Sequence, residues 1–252
     1  SIIKIILEKY FSMKTTALIP ARLESKRFPN KLIKKINGTP IILKTYRAAL
    51  DTGLFENVYV VSGNDVILEL IKSEGGKTFK SLKNHNSGTD RIAEAAIKLN
   101  TDIVVNLQGD EPFISKKAIE SLIKSFDDKS VEMASLMTKF ESFKELNNPN
   151  NVKVIVDSNY NALYFSRLPI PYASKNLIDY NRHIGIYAFL KQSLIEFTNL
   201  KRLNLEIVEN LEGNRVVENS KKIRMVSTDF HGISIDTPED LLKAEKFISL
   251  ND

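Results

Sequence analysis

The residues best suited to chemistry fall in four short segments. The first, IPARLESKRFPNK, crowds Arg22, Lys26, Arg27 and Lys31 into one loop. A triphosphate needs cationic donors that converge on its oxygens, and Arg and Lys supply them as planar forks and point charges. The second, NLQGDEPFI, puts Asp110 and Glu111 directly after an apolar run. Carboxylates at such an exit, beside a basic loop, suit Mg²⁺, which takes one or two carboxylates and bridges phosphates. Gly109 lets the backbone turn there or a ligand come close. The third, HNSGTDR from His85 to Arg91, joins Gly88 to hydroxyl donors at a helix start. That suits a base or a phosphate, although plain helix capping explains it equally well. The fourth, SIDTPED, ends a strand at Asp236, which alone reads more readily as a cap than as a metal ligand. Neither GxxxxGK[ST] nor GxGxxG occurs, so this is neither a Walker A loop nor a dinucleotide fingerprint.

The elements that must position these segments alternate. TTALIPA, NVYVVSG and DIVVNLQG are short, apolar and β-prone. Between and after them lie ILKTYRAALDTG, NDVILELIKSEGG, SGTDRIAEAAIKLN and SKKAIESLIKSF, which carry helical periodicity and N-cap candidates at Asn64, Asp65, Ser87 and Thr89. KTFKSL reads as a short strand. This alternation predicts an α/β fold: a mostly parallel sheet with helices on both faces and ligands beyond the carboxyl ends of the strands. The second half is richer in strands: EMASLMTKF, NVKVIVDS, NALYFSR, IGIYAFL and KKIRMVST. LNLEIVENLEG reads as one helix stopped by Gly213. The chain should end in a helix with Thr237 as cap, Pro238 at its first position, and Glu239 and Asp240 in its first turn.

Composition excludes several classes. The 252 residues are 42% apolar and 27% charged, with no Cys and three His. Disulfides and thiolate metal sites are impossible, and a multi-histidine zinc site is disfavoured. No apolar run is long enough to cross a bilayer. The net charge of +5 lacks the dense basic runs with interleaved aromatics that mark nucleic-acid binding, so it reads as a solvated surface or a field for an anionic small molecule. SIIKIILEKYFS is a poor signal peptide, and residues 1–12 read as an extension ahead of Met13 without a catalytic role.

Together the motifs resemble the 3-deoxy-manno-octulosonate (Kdo) cytidylyltransferases, or CMP-Kdo synthetases. The resemblance rests on IPARLESKRFPNK, HNSGTDRIAEA, VVNLQGDEP, NPNNVKVIVDSNYNALYFSRLPIP, RHIGIYAF, the Leu205–Glu206 pair and IDTPEDL, in that order. It implies the nucleotide-diphospho-sugar transferase fold, with residues 13–252 as one domain and a β-rich sugar-binding and dimerising part over about 130–190. It implies conversion of CTP and Kdo to CMP-Kdo and pyrophosphate with Mg²⁺, in a cytoplasmic homodimer serving lipopolysaccharide assembly. It also implies roles. Arg22 and Lys31 grip the phosphates, with Ser25 and Arg27 in support. Ala21, Ser87 and Gly88 lie on the nucleotide side. Gln108, Arg167, His183, Tyr187 and Glu206 line the sugar side, and Asp110 and Asp236 hold the metal. The catalytic set is then Arg22, Lys31, Asp110 and Asp236.

Some positions depart from the pattern. Asn30 replaces a loop glycine, which the left-handed tolerance of Asn accommodates. Gly63 or Asn64 stands in for an Asp after the second strand, and Leu82 for an Arg. The family's LEQLR, set against Leu205–Glu206, reads LEIVE, with Ile207 and Glu209 at the altered positions. A carboxylate there could favour an amino analogue of Kdo. A nine-carbon acidic sugar and a non-catalytic nucleotide-binding module are the other readings.

Overall fold

The computed structural model describes residues 13–24, 28–172, 176–232 and 234–249. The extension over residues 1–12 lies outside them, as do Ser25, Lys26 and Arg27. The central sheet begins with β1 (Thr15–Ala21), which pairs in parallel with β4 (Asn57–Ser62) on one side and β6 (Ile103–Asn106) on the other. β5 (Lys77–Lys80) extends it past β4. Beyond β6 the order continues with β10 (Asn181–Leu190), β7 (Met133–Lys139) and β11 (Arg224–Ser227). β10 runs antiparallel to both its neighbours. β8 (Lys153–Val156) and β9 (Ala162–Ser166) form an antiparallel hairpin attached to β10, and β2 (Lys35–Ile36) pairs with β3 (Thr39–Pro40) as a separate ribbon. The expected α/β class holds: the left half is parallel, and the right half is where strands follow strands.

Period-two alternation divides the core between the two faces of the sheet. Ala17, Ile19 and Ala21 of β1 point into one cluster, with Ile41 and Ile42 of α1 (Ile41–Asp51), Ile67 of α2 (Asp65–Ser73) and Ile119 of α4 (Lys116–Lys124). Leu18 points into the other, with Ile92 and Ala96 of α3 (Gly88–Lys98), Leu194 and Phe197 of α6 (Lys191–Asn199), and Phe165. Both faces are buried, so the parallel strands read as continuous apolar runs.

Capping follows the sequence. Asn64 accepts from the Val66 and Ile67 amides, Ser87 from that of Asp90, and Ser115 from that of Ala118. Thr237 and Asp240 cap each other at the start of α9 (Pro238–Ser249). Leu203–Gly213 departs from the single helix expected there. α7 (Asn204–Glu209) stops at Asn210, which is left-handed (φ 53°), and α8 (Glu212–Glu218) starts afresh with Gly213 inside it. Asn is the residue other than Gly that most readily ends a helix in this conformation. Gly213 is required for another reason: a β-carbon there would lie 2.7 Å from the Phe165 ring.

Candidate active site

β1, β4 and β6 all end at the same edge, and the four chemical segments gather there. After Ala21 the chain runs into a loop closed by hydrogen bonds from the Asn30 amide to the Leu23 carbonyl (3.2 Å) and from the Lys31 amide to the Phe28 carbonyl (3.1 Å). Asn30 is left-handed (φ 57°), as its replacement of a glycine foretells. Lys31 then opens a single 3₁₀ turn and aims its ammonium back at the sheet.

Past β6, Gly109 lies under this loop. A β-carbon there would come within 3.1 Å of both Ile42 Cδ1 and the Pro20 carbonyl, a tight contact that favours glycine. The Thr45 hydroxyl donates to the Gly109 carbonyl (3.0 Å), fixing the turn that presents Asp110. The Ile235 amide donates to the Asp110 carbonyl (3.0 Å), which brings Asp236 alongside. The Lys31 ammonium bridges the two carboxylates, bonding Asp110 and lying 3.0 Å from Asp236 Oδ1. Burial opposes its charge, but Asp110 and then Asp236 outweigh burial and raise its pKa. A cation thus stands between two acids drawn from distant parts of the chain. Glu111 is different: burial, reinforced by Asp110, pushes its carboxyl up to about 8 against the pull of Arg182. It is mostly protonated at neutral pH and adds no full charge beside the pair.

Ser87 and Gly88 open α3 against β1, and a β-carbon on Gly88 would meet Pro20 at 3.0 Å and Gln108 Oε1 at 3.8 Å. Gln108 therefore adjoins the turn expected to face the nucleotide. Arg22 is exposed at the rim.

The expected sugar-side residues divide. His183, Tyr187 and Phe165 form an aromatic run, with ring centroids 4.8 Å apart for Phe165–His183 and 5.3 Å for His183–Tyr187. Burial drives the His183 pKa down to about 3, so the ring is neutral; its Nε2 lies 2.9 Å from the Ser135 hydroxyl. Burial, with help from Glu212, raises the Tyr187 phenol. Arg167 is held by backbone carbonyls, its Nε donating to Glu209 O (2.8 Å) and its Nη1 to Pro149 O (3.0 Å).

Glu206 is buried and engaged by two arginines. It is 2% exposed and receives a two-pronged bond from Arg215 (Nε–Oε2 2.8 Å, Nη2–Oε1 2.7 Å), with Arg202 Nε at 3.1 Å. Glu209 accepts from the Tyr164 hydroxyl (2.9 Å) and the Arg167 amide (2.9 Å), while Ile207 points to solvent. With Glu209 engaged by Tyr164 and Arg167 and Ile207 exposed, nothing at these two positions favours an amino sugar.

The carboxylate that does reach the site is Glu212, which the sequence reading missed. Its Oε2 accepts from Thr89 Oγ1 (2.7 Å), beside the Ser87–Gly88 turn, and its Oε1 is buried without a partner, as is Asn106 Oδ1. The signal was present. Within Leu203–Gly213 Leu-Glu occurs twice, and of these two pairs only Leu211–Glu212 is followed at the LEQLR spacing by an arginine, Arg215. Aligned there, the motif keeps both its charges.

A basic loop, paired acids and a helix start, all at the carboxyl ends of parallel strands, define an α/β nucleotidyl-transfer protein. The comparisons narrow the class. The family described as Cytidylyltransferase matches residues 16–223. The 3-deoxy-manno-octulosonate cytidylyltransferase of Christiangramia forsetii is 48% identical over 94% of this chain and 97% of its own length. The protein of the same name from Flavobacterium johnsoniae is 49% identical over 94% and 99%. Among solved structures, CMP:2-keto-3-deoxy-manno-octonic acid synthetase complexed with CTP superposes with a TM-score of 0.88, at 34% identity, over 95% of this chain and all of that one. A 4-diphosphocytidyl-2C-methyl-D-erythritol synthase from Anaerococcus prevotii, 15% identical with a TM-score of 0.66, shares the fold. The chain belongs to the cytidylyltransferase family, in the branch formed by the 3-deoxy-manno-octulosonate enzymes.

Proposed function

We propose that this chain activates Kdo, transferring the cytidylyl group of CTP to it and releasing pyrophosphate. The observation that carries the reading is the Lys31 ammonium held between Asp110 and Asp236 where the parallel strands end. This donor set fits a cation, because a positive charge already occupies the space between the two carboxylates. Asp110 and Asp236 would hold Mg²⁺, which when bound supplies neutralisation of phosphate charge. No cluster of three or more acidic or histidine ligands occurs among the described residues, in keeping with a metal that completes its shell from water and phosphate.

The protein's own part is electrostatic positioning. Lys31 can release one carboxylate and turn to the phosphates, where with Arg22 it stabilises charge growing on the departing pyrophosphate. The sugar hydroxyl attacks the α-phosphorus from the side lined by Gln108, His183 and Tyr187. His183 is neutral, so it orients the sugar by hydrogen bonding and packing and is not a cationic anchor. Glu212 supplies an acceptor that Glu206 cannot. Ser25 and Arg27 of the basic loop belong to the same phosphate grip by resemblance.

We place the reaction in the cytoplasm, feeding lipopolysaccharide assembly; no helix among the described residues is long and apolar enough to cross a membrane. A homodimer is supported by the apolar side chains exposed around the β8–β9 hairpin, including Leu163, Leu168 and Tyr172. Light scattering would read a single-copy mass if that assignment fails. The function itself is tested by pyrophosphate release from CTP and Kdo with Mg²⁺. Release that disappears in Asp110→Ala supports the reading, and silence of the unaltered protein overturns it.

A further inference from the structure

We infer that Arg91 is a further guanidinium of the triphosphate grip, supplied from outside the basic loop and acting together with Arg22. The inference rests on the reading of this site as a CTP site. β1 and β4 are paired with Ala21 opposite Ser62, so Arg22 and Gly63 leave the sheet side by side. Arg91, in the second turn of α3, reaches the same place from above: a β-carbon on Gly63 would lie 3.5 Å from Arg91 Nη1 and 3.4 Å from the Ser81 carbonyl. The Arg91 guanidinium therefore lies against Gly63, next to the point where Arg22 leaves the sheet.

Arg91 is half-buried, and no ion pair engages it or Arg22 among the described residues. The nearby acids are committed elsewhere. Glu94 is bound to His85 (2.7 Å), the Ser81 hydroxyl (2.7 Å) and the Leu82 amide (3.0 Å). Asp90 bonds Ser87 and lies 3.7 Å from Arg215. Glu24 is exposed on the loop and attracts Arg91 only from a distance. Burial and then the like charge of Arg22 weaken the hold of Arg91 on its proton, and together they outweigh the attraction of Glu24 and Glu94. Two like-charged guanidiniums near one ligand-binding edge repel until a polyanion lies between them. The triphosphate of CTP supplies more acceptor oxygens than Arg22 and Lys31 can engage.

The test is calorimetric binding of CTP and of CMP to the full chain with Mg²⁺, for the unaltered protein, Arg91→Gln and Arg91→Lys, together with melting temperatures. We expect Arg91→Gln to weaken CTP binding by ~10-fold or more, as for the loss of a hydrogen bond to a charged group. CMP binding should change less than about 2-fold by the same reasoning, since its single phosphate retains Arg22 and Lys31. Arg91→Lys should recover part of the loss, and the melting temperature should hold or rise as the repulsion with Arg22 is relieved. Equal losses for CTP and CMP would reassign Arg91 to the base or ribose and overturn the inference. No loss for either, or a lowered melting temperature with unselective loss, would make it structural and also overturn it. Absence of pyrophosphate release by the unaltered protein with Kdo would sink the proposed function, yet the CTP and CMP comparison would still decide the role of Arg91.

Discussion

The two halves of the sheet treat charge in opposite ways. At the ends of β1, β4 and β6 the charged groups stand open or are bridged by something that can move: Arg22 and Arg91 form no ion pair among the described residues, and one ammonium spans Asp110 and Asp236. Around β8–β10 nearly every charge is locked. Glu206 and Arg215 are joined by two bonds and almost fully buried; Arg167 is held by carbonyls; Lys153, with no exposed surface, donates to the Asn148 (3.0 Å) and Arg167 (2.7 Å) carbonyls. The nucleotide half is therefore built to exchange ionic partners, and the sugar half to keep its shape. Substitutions on the first side should alter rate, and those on the second should alter stability.

Lys31→Met tests the open side hardest. It should lower kcat/KM by roughly 10³-fold, the upper range for loss of one preorganised charged donor. It should also leave Asp110 and Asp236 repelling each other, so added Mg²⁺ should raise the melting temperature of the variant more than that of the unaltered protein. A thermal shift equal in the two would deny that the carboxylates form a cation site. Asp236→Asn should follow, with a loss of roughly 10²-fold in pyrophosphate release and little change in melting temperature, because Lys31 keeps Asp110. A variant that unfolds instead would blur the division between the halves.

On the locked side, Glu206→Ala should cost about 3 kcal/mol of stability by stranding the buried Arg215 guanidinium. Asp90, 3.7 Å from that guanidinium, is too far to replace the lost bonds. The variant's kcat should remain near normal at temperatures where it stays folded. A collapse of kcat without loss of stability, read by denaturant melts beside steady-state rates, would return Glu206 to the substrate.

The same division governs what the sequence reveals. Arg22, Lys31, Ser87 and Asp110 are legible because each directly follows a strand or opens a turn, and such exits are where α/β sheets bind ligands. Asp236 is legible only in company: its meeting with Asp110 depends on a hydrogen bond from Ile235 that no local pattern encodes. The sugar half hides more. Glu206 and Glu212 each follow a leucine in one apparent helical stretch, and only the left-handed break at Asn210 turns the first toward Arg215 and the second toward Thr89. Arg91 was read as part of the helix-start motif, but the residue its guanidinium lies against, Gly63, follows another strand.

The smallest expected effect concerns His183, whose ring is held neutral inside the locked half. Its folded pKa of about 3 lies below the unfolded value of about 6.5. Between these values the unfolded chain takes up a proton that the folded chain does not, so protonation favours unfolding. The contribution of His183 to stability is therefore complete above about pH 6.5 and declines as the pH falls toward 3. His183→Gln removes the titrating ring but retains an amide able to bond Ser135. It should cost about 1 kcal/mol at pH 7.5 through lost packing against Phe165 and Tyr187, and should make the acid limb of the stability curve less steep than in the unaltered protein. If the two limbs run parallel from pH 6.5 down to pH 4, His183 already carries its proton in the folded state. The sugar side would then hold a movable charge, and the contrast between the halves would fail at that residue.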